Sequence, residues 1–148
     1  DHVLYWYKDM ARSIDYLMTR PDVQHDKLAY YGYSWGGSLG PILLAVEDRL
    51  KVAILSGAGF SEPETFPVVS PINFAPRVTI PVLMLSGRYN TFFPVEKAVE
   101  PMYQLLGTPE ANKRLLTFDS GQFIPQKDLT REAIGWLDRY LGPVVLTD

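Results

Sequence analysis

Apolar residues recur near the start of the chain at steps of three and four, at Val3, Tyr7, Met10, Ile14 and Leu17, while Asp9, Arg12 and Asp15 fall off that stripe. The spacing predicts an amphipathic helix with one buried face, stopped at Pro21 and Asp22. Four short apolar runs follow: Leu28–Tyr31, Lys51–Leu55, Pro81–Ser86 and Arg114–Phe118. Lys51–Leu55 and Pro81–Ser86 show no polar alternation, as expected of strands covered on both faces. Helical spacing returns between the runs. It runs through Leu39, Ile42, Leu43, Leu44 and Val46, and again through Val95, Ala98, Val99, Met102, Leu105 and Leu106. A last helix is expected from about Leu129 to Leu141, with Leu129, Ala133, Ile134, Trp136, Leu137 and Tyr140 facing in and Gly142-Pro143 ending it. Pro94 suits a first helical turn, and Pro101 inside the same stretch predicts a kink or an early break.

A helix followed by alternating strands and helices describes an α/β fold: a three-layer α/β/α domain over residues 1–148, with about four strands in a mostly parallel sheet and right-handed crossovers. Ser61–Pro81 carries Pro63, Pro67, Pro71, Pro76 and Pro81, too many for a regular element. A connection of that length is either a binding or lid loop or a rigid excursion over the sheet edge.

The most informative stretch is Lys27–Gly40, KLAYYGYSWGGSLG. It holds G-x-S-x-G between a predicted strand and a predicted helix, the pattern of a nucleophile elbow. Glycines two before and two after the serine keep side chains away from the crossing of strand and helix. The turn presents Ser34 at a helix N-terminus, where free N–H groups favour developing negative charge. An ordinary strand-to-helix turn can carry the same residues; the flanking apolar strand and helix are what select the elbow.

Composition narrows the function without naming it. The 148 residues are 47% apolar and 21% charged, with a net charge of −3 and no basic cluster, which argues against a nucleic-acid partner. There is no cysteine, and the two histidines, His2 and His25, lie far apart in the sequence, so neither a metal site nor a cofactor is expected. His25, in the loop before the first strand, would lie at the far end of that strand from Ser34. No signal peptide or membrane-spanning run is seen, so no membrane partner and a cytoplasmic location are expected. The chain begins directly in a helical pattern, as expected of a fragment or excised domain. Tyr5, Trp6, Tyr30 and Tyr31 flank the core stripes and are read as packing residues.

On GYSWGG at Gly32–Gly37, NFAPRV–IPVLMLSGRYN at Asn73–Asn90 and FDSGQFIP at Phe118–Pro125, nearly the whole chain resembles the C-terminal half of an α/β-hydrolase, similar to esterases and to the dienelactone-hydrolase and prolyl-peptidase branches. The resemblance implies a truncated α/β-hydrolase fold and carboxylic ester hydrolysis on small-molecule esters, with Ser34 as nucleophile and the Trp35 N–H as oxyanion donor. Phe60, Tyr89, Phe92 and Phe93 would line the substrate pocket. The family's acid falls at Asn90 and its histidine at Gln122. Both are amides, and Gln122 has no basic pKa with which to take the serine proton. Asp119 lies beside the base position, and Glu62 and Glu64 are other conceivable carboxylates. Three readings stay open: a weakly active esterase, a non-catalytic pseudoenzyme or disabled variant that binds esters or a protein partner through the old pocket, or a structural fragment of the fold. The family's other oxyanion donor comes from an earlier strand absent here, and the exposed strand edge predicts a homo-oligomer or a missing N-terminal segment that completes the sheet.

Overall fold

The computed structural model describes residues 2–61 and 66–144. Helix α1 (His2–Leu17) precedes strand β1 (Ala29–Tyr33), followed by α2 (Trp35–Val46), β2 (Val52–Ser56), a short α3 (Pro71–Phe74), β3 (Val82–Gly87), α4 (Glu100–Leu105), β4 (Lys113–Phe118) and α5 (Gln126–Leu141). The four strands lie side by side in chain order, and every pair is parallel. All the expected strands are present, shifted by one or two residues.

Strand residues alternate between two cores because successive side chains point to opposite faces. Ala53, Leu55, Val82 and Met84 pack on one face with Ile14, Leu44, Val99 and Met102. Val52, Ile54, Leu83 and Leu85 pack on the other with Ile124 and Trp136 of the α5 side. The unbroken apolar runs of β2 and β3 thus reflect burial from both sides, and the three layers are those expected. At the sheet's edge, β1 pairs only with β2 among the described residues, and Tyr31 is half exposed.

Several details depart from the periodicity. On α1 only Ile14, in the last turn, is fully buried, with Met10 packed partly against the same core, and Leu17 is exposed. Ile134 and Leu105 also face solvent, at the margins of their helices' buried stripes. No break occurs at Pro101. A wide π turn over Val95–Val99 leads straight into α4, with Pro101 in its first turn. Such a turn relaxes the hydrogen-bond ladder that a proline would interrupt. The proline-rich stretch is also more regular than expected, since Pro67, Pro71 and Pro76 stand in the first turns of short helical segments, where a missing N–H costs nothing. Ala75 and Val78 anchor it in the core.

Candidate active site

The site lies at the C-terminal ends of β1, β3 and β4, where an open parallel sheet offers its crevice. Ser34 follows β1 with φ 51° and ψ −115°, and it is the only non-glycine residue at positive φ among those described. Backbone in this region costs about 1–3 kcal/mol and persists only where its surroundings enforce it. Here the Ser34 N–H donates to Ser56 O at 2.9 Å, and the Ser38 N–H donates to Ser34 O at 2.9 Å. The Ser38 hydroxyl reaches Gly59 O. The end of β2 and the segment after it therefore grip the turn.

The glycine requirement differs from the motif's letter. A Cβ on Gly32 would lie 2.8 Å from Gly36 O and from Gly37 Cα, so that glycine is needed for close approach. A Cβ on Gly36 would meet nothing nearer than the Tyr30 hydroxyl at 3.9 Å, whereas one on Gly37 would lie 2.4 Å from the Ala58 Cβ. The crossing point is one residue later than the pattern implies. Gly37→Ala is accordingly expected to cost about 2 kcal/mol through overpacking, and Gly36→Ala to stay within about 0.5 kcal/mol of the parent. Urea unfolding of the two variants checks the contrast.

The two amides lie in loops that touch. The Tyr89 N–H donates to Ser120 O at 2.9 Å, and a Cβ on Gly87 would collide with Gly121 O. Asn90 is 3% exposed, and its Oδ1 accepts from the N–H groups of Phe92 and Phe93 at 3.0 and 3.1 Å. Its Nδ2 is buried without a partner. The Gln122 Nε2 donates to Gly57 O at 2.9 Å, one residue past the Ser56 carbonyl that holds Ser34, while its Oε1 is buried and unpartnered. Gln122 is thereby tied to the β2 end next to the elbow.

The remaining candidates separate. Asp119 faces outward in an exposed ion pair with Arg88 at 2.8 Å. Glu62 and Glu64 lie outside the described residues. Tyr89 and Phe92 are exposed near Asn90, but Phe93 is buried in the core and Phe60 packs against it. An open cavity of about 810 Å³ is lined by Arg88, Tyr89, Asn90, Thr91, Lys97 and Thr117, on the Asn90 side rather than over Ser34. Another, also about 810 Å³, lies by Val23, Leu28, Leu137 and Leu141. His25 contacts Arg20 O at 3.1 Å in the loop before β1. His2 stacks on Trp6, which meets Trp35 edge-on at 4.4 Å, so the start of α1 reaches the elbow. That proximity has no signal in the sequence. On the other side Tyr33 stacks with Phe123 at 5.7 Å. Among the described residues no cluster of three or more His, Asp or Glu could hold a metal, and no helix is long and apolar enough to cross a membrane.

Three solved structures set this geometry in context. A protein described as a dienelactone hydrolase, from Klebsiella pneumoniae subsp. pneumoniae MGH 78578, superposes with a TM-score of 0.75 at 20% identity, over 90% of this chain and 60% of its own. A zinc-bound cold-adapted esterase from an Arctic intertidal metagenomic library gives 0.74 at 23% identity, over 91% and 57%. The acetyl xylan esterase of Paenibacillus sp. R4 gives 0.74 at 18% identity, over 90% and 52%. No family model matches the chain. The chain has the α/β-hydrolase fold, in a form with four parallel strands. It spans only about half to three-fifths of the length of these three structures.

Proposed function

We propose that the chain is a serine-type ester hydrolase of low turnover, with Ser34 as its nucleophile. The strained backbone of Ser34, held between β1 and α2, carries this reading. Strain of this kind concentrates at functional sites. Trp35 is the first residue of α2, so its N–H has no acceptor within the helix and is available to an oxyanion. In the reaction, the Ser34 Oγ attacks the ester carbonyl, its proton leaves to water, and the alcohol departs from the tetrahedral intermediate. Water then releases the acid from the acyl-serine. Asn90 and Gln122 are neutral and cannot accept the serine proton, so turnover is slow. The fold of the esterases and hydrolase above supports the reaction class.

The second reading, a non-catalytic binding domain, is favoured by the way both amides are spent on backbone. Asn90 caps the Phe92–Phe93 turn, and Gln122 holds Gly57 O. Hydrolysis of p-nitrophenyl acetate by the parent and by Ser34→Ala separates the two. A rate that falls to background in the variant supports the esterase. Equal rates leave the binding domain.

A further inference from the structure

We propose that Tyr30 is a positioning residue that clamps the nucleophile elbow from beneath; the inference rests on Ser34 being the working nucleophile. Tyr30 and Gly32 share a face of β1, the side packed against the core that contains Leu44 and Leu55. Because Gly32 has no side chain, the Tyr30 ring can lie along the strand. A Cβ at Gly32 would come within 2.7 Å of Tyr30 Cε1 and within 2.8 Å of Gly36 O. The Tyr30 hydroxyl donates to that same Gly36 carbonyl at 2.6 Å. Gly36 lies two residues beyond Ser34 in the first turn of α2.

The elbow is therefore held from three directions. Ser56 O takes the Ser34 N–H from the β2 side, the Ser38 hydroxyl reaches Gly59 O, and Tyr30 ties the first turn of α2 back to β1. Of these contacts, only the Tyr30 hydrogen bond links the strand before the serine to the helix after it. Its removal lets the helix start tilt away from β1, and the Ser34 Oγ moves with it. Burial pushes the Tyr30 phenol up to about 12, so the hydroxyl remains a donor across any assay range. Displacing a reacting atom by about 1 Å can cost about 10²-fold in rate.

Tyr30→Phe keeps the ring and removes only the hydroxyl. In p-nitrophenyl acetate hydrolysis it is expected to lower kcat about tenfold with KM nearly unchanged, because Tyr30 does not touch substrate. Amide exchange on the ¹⁵N-labelled protein gives a readout independent of turnover. The Ser34 and Ser38 amides are expected to exchange about tenfold faster in the variant, while those of Ile54 and Leu83 keep their rates. An unchanged kcat, or faster exchange spread evenly over the sheet together with a lower Tm, overturns the clamp. If the parent proves inactive, the esterase reading fails, and the exchange pattern at Ser34 and Ser38 alone decides whether Tyr30 clamps the turn.

Discussion

A variant carrying both Asn90→Asp and Gln122→His is expected to hydrolyse p-nitrophenyl acetate about 10³-fold faster than the parent, equivalent to about 4 kcal/mol of transition-state stabilisation. Histidine at position 122 starts from a side chain anchored to Gly57 O, beside the peptide that holds Ser34. It supplies a base whose ordinary pKa is about 6.5. Aspartate at position 90 keeps an oxygen on the Phe92 and Phe93 N–H groups. Its second oxygen replaces the buried, partnerless Nδ2 with an acceptor for an imidazole N–H. Each single change should recover far less, because the groups act as a unit. Asn90→Asp alone buries a charge with no imidazole for it to orient. Gln122→His alone provides a base that nothing orients. The rate of the double variant should rise with pH through an apparent pKa of about 6.5, since only the neutral imidazole accepts the serine proton. A double variant no faster than the parent would leave the non-catalytic reading standing.

Arg49→Met is expected to destabilise the fold by about 3 kcal/mol, the low end for breaking a buried pair, since Arg49 itself keeps 28% exposure. Glu47 is almost fully enclosed after α2, with Arg49 Nε and Nη2 each 2.6 Å from one of its oxygens. Arg49 also reaches Asp15 of α1 at 2.6 Å. It thus ties a helix that buries only one residue fully to the turn before β2. Hydrogen bonds from Arg49 hold the Glu47 carboxyl below its ordinary value of 4.5. Its contribution to stability is therefore present above that value and lost as pH falls through the lower folded pKa. In the variant the unpaired carboxyl is pushed up, and stability falls as pH rises past 4.5. The gap between parent and variant should be wide at pH 7 and narrower at pH 3, because it shrinks as pH falls from 4.5 toward the lowered folded pKa of the parent. Urea titrations at the two pH values test this. Adding Glu47→Gln to Arg49→Met should close much of the gap at neutral pH.

Much of this molecule is legible in its amino-acid sequence. The apolar runs of β2 and β3 are unbroken because helices cover both faces, and burial of that kind leaves a local trace at every position. The elbow was legible because a reversing turn at a serine needs glycine nearby, and Gly32 meets that need. Three things left no such trace. The glycine that the crossing requires on the helix side is Gly37 rather than Gly36, because the obstacle is Ala58, which lies on a different segment. The pocket aromatics divide into exposed Tyr89 and Phe92, buried Phe93 and half-buried Phe60, the last two packed with the core that holds Ala98, Val99 and Met102. The helix through Pro101 continues because the turn before it widens.

The sequence by itself determined the order of strands and helices, the layers and the place of Ser34, since these follow from side-chain period and from the backbone freedom of a few residues. Only the tertiary structure decided which distant groups meet. It brought Gln122 to Gly57, Ser34 to Ser56, Trp6 to Trp35 and Arg49 to Asp15. Those pairings depend on how loops at the ends of parallel strands fold over one another, and contacts between residues far apart in the chain impose no period on the residues that make them.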